Sequence, residues 1–296
     1  MKRCEGQIGE MKERGKHRYH DADAEKELEF LQLQQKLIFD FDKDVYDQIL
    51  KGKDNLCILD VGCNAGAQIM AHFCEDERVK QIVGIERDYG AVDLAKEKYP
   101  QGIFGCLDVE SSNFEGLFEK FLSDNNIQKF DMINISMLLL HLENPTKLLK
   151  FLKKHLKNDG IVFIRDIDDG LNLAYPDKDG MFGRMTQICE YCDMLGFRKS
   201  GRQIYSYLKE AGYDNVSLKK VGLSTTNMNF EEKSAFFEVY FGYIPTALEK
   251  TLERNPNLVQ AREDLEWVES IIEIARKEFE KEGFLFSLGY MIYTAQ

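Results

Sequence analysis

Residues 56–66 read LCILDVGCNAG, an apolar run of strand type that closes on Asp60 and Val61 and passes straight into a turn punctuated by Gly62 and Gly66. An apolar strand ending in a glycine-bearing turn ahead of a helix is how α/β sheets seat nucleotide-like cofactors. Glycine lets the ligand approach the backbone, and the helix N-terminus offers unpaired N–H groups. The dinucleotide fingerprint needs a middle glycine in G-x-G-x-x-G, and Asn64 stands at that position. No G-K-[ST] follows, which excludes a P-loop. Asp60, two residues ahead of Gly62 at the end of the strand, can accept hydrogen bonds from a cationic or hydroxyl-bearing ligand.

Two further acids follow at the ends of apolar runs. In QIVGIERD, residues 81–88, Glu86 lies twenty positions after Gly66, where an acidic side chain can accept both hydroxyls of a ribose. In FGCLDVE, residues 104–110, Asp108 closes another short strand and could accept from an adenine amino group. A fourth stretch, residues 130–166, reads FDMINISMLLLHLENPTKLLKFLKKHLKNDGIVFIRD and places Ser136, His141, Pro145 and the LKNDG turn of residues 156–160 in order.

These segments, in this order and spacing, resemble the class I S-adenosylmethionine-dependent methyltransferases, most closely those acting on small molecules, over roughly residues 45–226. The resemblance implies S-adenosyl-L-methionine as cofactor and S-adenosyl-L-homocysteine as product. It places Asp60, Gly62, Cys63, Asn64, Gly66, Glu86, Arg87, Asp108, Val109 and Ser136 around that cofactor. It also implies direct displacement at the methyl carbon, with acceptor and donor aligned and water excluded. His141 would border the transfer site as substrate orienter or proton acceptor, against the plainer reading of a solvated histidine.

The fold implied is α/β, a Rossmann-like doubly wound, mostly parallel seven-stranded sheet. ILDV, IVGIE, FGCLDV, MINISM and IVFIRDI alternate with helical stretches, as a parallel sheet requires. Residues 216–226 and 284–295 read as a sixth and a final strand, the last expected to run antiparallel between the fifth and sixth. The organisation expected is an N-terminal helical cap at 1–52, a cofactor-binding core at 53–229, a helical insertion at 230–283 and the final strand at 284–296. Apolar residues from Leu28 to Ile49 fall near helical spacing and predict one or two helices before the first strand. Leu258, Ala261, Leu265, Val268, Ile272, Ala275 and Phe279 do the same within the insertion.

Three segments are candidates for contact with the acceptor. The insertion opens with FEEKSAFFEVYFGYIPTAL, whose aromatics read as core packing, as a homodimer contact, or as a pocket wall in which Tyr240 and Tyr243 offer hydroxyls. After the fifth strand, Asp166, Asp168, Asp169, Asp177 and Asp179 crowd one loop. There Asp166 could take a proton and Asp168 could hold an amine, or the acids simply initiate turns. Arg18 and Tyr19 could fold over bound cofactor.

Composition narrows the partners. The 296 residues carry 39 basic and 51 acidic side chains, a net charge of −12 that repels phosphate backbones and argues against nucleic acid. No apolar run reaches membrane-spanning length and the charged start lacks a signal peptide, so a cytoplasmic protein is expected. Seven cysteines in no paired pattern suit a reducing compartment. Cys189 and Cys192 form a lone C-x-x-C with no second pair, so no metal site is expected. Three other functions stay open: a protein or RNA methyltransferase, a non-catalytic S-adenosylmethionine binder, and an NAD-dependent enzyme, the last disfavoured by Asn64.

Overall fold

A computed structural model of the chain describes residues 21–66, 69–177, 179–192 and 196–296. Helix α1 (Asp21–Ile49) leads to β1 (Leu56–Val61), α2 (Met70–Phe73), β2 (Val79–Glu86), α3 (Tyr89–Lys98), β3 (Ile103–Cys106), α4 (Phe114–Asp124) and β4 (Phe130–Ser136). Next come α5 (Pro145–Lys153), β5 (Leu156–Ile167), β6 (Leu173–Tyr175), α6 (Met181–Tyr191), α7 (Ile204–Glu210) and β7 (Ser217–Ser224). Helices α8 (Phe230–Phe237), α9 (Ile244–Arg254) and α10 (Val259–Phe279) precede the last strand, β8 (Leu285–Ala295).

Local chemistry sets several of these boundaries. The Asp88 carboxylate accepts from the Ala91 N–H at 2.8 Å and starts α3. Asn144 caps α5, accepting from the Lys147 N–H, and Pro145 occupies a first-turn position where its missing N–H costs nothing. Asn229 and Glu232 form a reciprocal capping box at the start of α8.

The strands run in the order β3-β2-β1-β4-β5-β8, with β7 on the far side of β8. The first five pair in parallel, whereas β8 is antiparallel to both β5 and β7. The sheet has eight strands where seven were expected. The addition is β6, a three-residue continuation along the β5 edge, where Leu173 and Ser224 both pair with Ser287. So short a segment carries no periodicity to read. Residues 156–160, expected as a turn, already belong to β5, whose register against β4 shifts between Phe130 and Met132. The N-terminal stretch forms one helix of 29 residues.

Helices cover both faces. Phe114, Phe118 and Leu122 of α4, Leu148 and Leu152 of α5, and Ile204 and Leu208 of α7 pack one face against Leu59, Ile133 and Ile164. On the other, Val45 and Tyr46 of α1 join Met70, Phe73, Val92, Ile58 and Phe163. The 230–283 segment closes the same face at its far end, where Phe236, Phe237, Phe241, Ala261, Val268, Ala275 and Phe279 are buried with Phe182, Phe286 and Leu288. Each phenylalanine removed from water contributes about 1.5–3 kcal/mol, so these aromatics serve the chain's own core. Phe230 is the exception, at 65% exposed. Among the described residues, no helix is long and apolar enough to cross a membrane.

Candidate functional site

The carboxyl ends of β1, β2 and β4 lie side by side, because β1 pairs with β2 on one edge and β4 on the other. The turn after β1 is built for close approach. Gly62 and Gly66 have φ of +74° and +80°, a region L side chains rarely adopt. A Cβ on Gly66 would stand 2.9 Å from the Tyr99 ring, and one on Gly62 would stand 3.2 Å from Leu138 in the turn after β4. Asn64 is also left-handed, at φ 47°, and its Oδ1 accepts from the Ala65 N–H. Cys63 is buried with its thiol pushed well up by burial, and the absent side chain of Gly84 makes room for its Sγ.

Glu86, the last residue of β2, ties this turn to its own strand. Its Oε2 accepts from the Asn64 N–H at 3.2 Å, and Oε1 from the N–H groups of Arg87 and Asp88 at 2.7 and 3.1 Å. Burial raises its acid range while those N–H groups lower it. A carboxylate has about four lone-pair sites, so Oε2 keeps capacity for further donors. The Arg87 carbonyl accepts from the Cys106 thiol. Asp108 stands two residues beyond the end of β3, in the following turn instead of closing the strand as expected. There its Oδ1 accepts from the Glu110 N–H, and Val109 packs on the core beside it.

Asp60 lies deeper, at 2% exposed. Its Oδ1 accepts from Asn134 Nδ2 at 2.7 Å, and its Oδ2 is buried without a hydrogen-bond partner. Burial pushes this carboxyl up to about 7, against the lowering effect of the Asn134 hydrogen bond. A buried acceptor with no donor calls for a cationic or N–H-bearing ligand.

The opposite lip is the end of β4. Ser136 is buried and donates to Asn134 Oδ1 at 3.1 Å. Met137 follows at φ 53°, a costly conformation for a non-glycine residue and one that clusters at functional sites. A short turn, Leu139–His141, then leaves His141 exposed, with Gly196 close to its Nδ1.

Several expected acceptor contacts take other parts. Asp166 is fully buried and engaged on both oxygens, by the Leu140 N–H, the Ser200 hydroxyl and the Ile167 N–H. It therefore holds the turn that carries His141 and does not face an acceptor. Asp168 is 1% exposed and held by Arg202 through its backbone N–H, Nε and Nη2, which leaves it no reach toward an amine. Asp169 pairs with buried Arg198 at 2.9 Å, and Asp177 accepts from the Phe182 and Gly183 N–H groups, so these acids also serve the loop itself. The Tyr240 hydroxyl accepts from Asn172 at 2.6 Å, with the Arg198 guanidinium over its ring. Tyr243, half-buried, immediately precedes α9, and its hydroxyl accepts from Lys250 Nζ at 3.5 Å. Arg18 and Tyr19 lie outside the described residues. Cys189 and Cys192 are buried in the apolar cluster around Phe182, and no metal-binding group of three or more His, Cys, Asp or Glu occurs among the described residues. Tyr46, Asn134 and Met137 were not singled out from sequence; the one signal was a polar Asn inside the apolar run MINIS.

Asp166 also sets a pH dependence. Burial pushes its carboxyl up to about 7, so the folded state retains a proton that the unfolded chain has released near pH 4. Stability from this group therefore falls as pH rises from about 4 to about 7. Asp166→Asn has no such proton. In thermal unfolding from pH 5.5 to 8, the variant is expected to gain on wild type with rising pH; a constant difference would contradict the assignment.

Comparison with known proteins decides the family. The family description "Methyltransferase domain" matches residues 31–218, more than half of the chain. The chain belongs to the class I S-adenosylmethionine-dependent methyltransferases. Two curated proteins that the chain resembles are (S)-coclaurine N-methyltransferase of Papaver somniferum and the mitochondrial ubiquinone biosynthesis O-methyltransferase of Dictyostelium discoideum. The first is 26% identical over 125 residues, 42% of this chain and 33% of that protein. The second is 25% identical over 118 residues, 39% of this chain and 36% of that protein. The chain thus spans about a third of the length of the curated relatives it matches. The plantazolicin methyltransferase BpumL, solved in complex with S-adenosyl-L-homocysteine, shares the fold at a TM-score of 0.51 and 14% identity, over 97% of this chain and 93% of that one. The family's cofactor is S-adenosyl-L-methionine. The residues present fit this cofactor: the donorless Asp60 Oδ2 would suit its cationic end and Glu86 its ribose, and the two left-handed glycines would let it approach the backbone.

Proposed function

We propose that the protein transfers a methyl group to a nitrogen or oxygen atom of a small-molecule acceptor. The observation that carries this reading is the pairing of two turns with left-handed backbone, one at Gly62, Asn64 and Gly66 and one at Met137, across neighbouring strand ends. His141 stands exposed one short turn beyond the second lip. When bound, S-adenosyl-L-methionine supplies a methyl already activated by its sulfonium, so no strong general base is required.

Glu86 and Asp60 hold the cofactor's ribose and cationic end, and Asp108 with Val109 borders the adenine. Ser136 and Met137 shape the floor between donor and acceptor. His141 orients the acceptor and takes its proton where the nucleophile must lose one, while Asp166 fixes the turn through the Leu140 N–H. Support for a small acceptor comes from the net charge of −12 and from relatives named as an N- and an O-methyltransferase.

The test is transfer of labelled methyl from S-adenosyl-L-methionine to panels of amines and phenols, with an unmodified protein mixture and RNA alongside. Turnover confined to a small amine or phenol supports the reading, and turnover confined to protein or RNA overturns it. His141→Ala is expected to lower kcat on the accepted substrate by about ten- to a hundredfold with the S-adenosyl-L-homocysteine Kd unchanged. An unchanged kcat would remove His141 from the transfer site.

A further inference from the structure

We propose that Asn134 and Tyr46 are positioning residues through which the seating of helix α1 on the sheet orients the Asp60 carboxylate toward the cofactor's cationic end. The inference rests on the cofactor site described above. Asn134 is fully buried in the middle of β4, in register with Asp60 on β1. Its amide is engaged on both sides: Nδ2 donates to Asp60 Oδ1 at 2.7 Å, and Oδ1 accepts from the Tyr46 hydroxyl and the Ser136 hydroxyl, each at 3.1 Å.

This network assigns the amide orientation. A flipped Asn134 would set its carbonyl oxygen against the Asp60 carboxylate and its NH₂ against two hydroxyls that now donate. With Oδ1 of Asp60 tied to the amide, Oδ2 is left buried with no donor. An apolar residue at 134, like its neighbours Ile133 and Ile135, would fill this face without burying four polar groups together, so packing alone does not account for the choice.

Tyr46 brings α1 into the same chain of contacts. Its ring is 2% exposed and fixed among Phe163, Phe73 and His72, with centroids 4.6, 5.4 and 5.8 Å away, so its hydroxyl reaches Asn134 only while α1 is seated. The charged groups that act on Asp60 are Glu86 on β2, which raises its carboxyl, and Arg165 on β5, which lowers it; Tyr46 on α1 and Cys63 in the turn face its charge in turn, and Asp42 on α1 acts on Tyr46. Removing the Asn134 donor takes away the one hydrogen bond that favours the charged form of Asp60.

The experiment is calorimetric titration with S-adenosyl-L-homocysteine from pH 6 to 8.5, on wild type, Asn134→Leu and Tyr46→Phe. Wild-type affinity is expected to fall as pH drops through about 7, where Asp60 takes up its proton. In Asn134→Leu that fall moves to higher pH, with binding about tenfold weaker at pH 7 and partly recovered at pH 8.5. Tyr46→Phe keeps the ring packing and moves the profile in the same direction by less, and it carries the test if Asn134→Leu does not fold. Glu86 is unchanged in all three proteins and its hydrogen bonds run to Asn64, Arg87 and Asp88 and to neither substituted residue, so the displacement between profiles reports Asp60. Variants that match wild type, or that weaken by one factor at every pH as a merely structural role would require, overturn the proposal. Absence of wild-type binding at every pH would instead remove the cofactor reading beneath it.

Discussion

Glu86→Ala is expected to weaken S-adenosyl-L-homocysteine binding by about 10³-fold. Two hydrogen bonds from ribose hydroxyls to a carboxylate are worth about 1.5–3 kcal/mol each, which sets that scale. A second loss adds to it, because the same carboxylate holds the Asn64, Arg87 and Asp88 N–H groups and so shapes the turn itself. Glu86→Gln separates the two. Its carbonyl oxygen still accepts from part of this backbone set but cannot accept both hydroxyls, so it should fall between wild type and Ala. Equal affinity in all three proteins, measured by calorimetry, would place the ribose elsewhere.

The second large effect concerns stability. Asp42 of α1 and Arg165 of β5 are each 1% exposed and joined at 2.9 Å, with the guanidinium also over the Tyr290 ring. Arg165→Met leaves the Asp42 carboxylate buried and uncompensated and should cost about 3–5 kcal/mol in denaturant unfolding. The double change Asp42→Leu with Arg165→Met removes both charges and should recover most of that loss, because desolvation offsets much of what the pair contributes. A double variant no more stable than the single one would show that the pair itself, and not the stranded charge, holds α1 down.

The alternation of strands with helices and the glycine-bearing turn after β1 were legible because each rests on local chemistry. Gly62 and Gly66 occupy positions where the backbone is left-handed, Glu86 accepts three backbone N–H groups, and the largely apolar runs of β1 and β4 are continuous because both faces are buried. The ends of elements were less so. Asp108 closed the strand on paper, whereas pairing stops at Cys106, since hydrogen-bond register depends on a neighbour distant in sequence.

The acidic loop shows the larger limit. Asp166, Asp168 and Asp169 read as groups open to an acceptor, yet each is claimed by a partner some thirty residues later, at Ser200, Arg202 and Arg198. Nothing in the local pattern distinguishes a free carboxylate from one matched by a distant arginine. The same holds for Asn134, whose meaning depends on Tyr46, 88 residues earlier. The aromatic stretch of residues 230–248 proved ambiguous for a related reason, because burial alone decides between core and pocket wall, and Phe236, Phe237 and Phe241 are fully enclosed.

The most direct measurement is calorimetric titration of the purified wild-type protein with S-adenosyl-L-homocysteine at pH 8, with NAD as control. Saturable one-to-one binding of S-adenosyl-L-homocysteine, and none of NAD, is the predicted result. Binding of NAD in its place, or of neither, would contradict the assignment of the Gly62–Gly66 turn and Glu86 to the methyl donor.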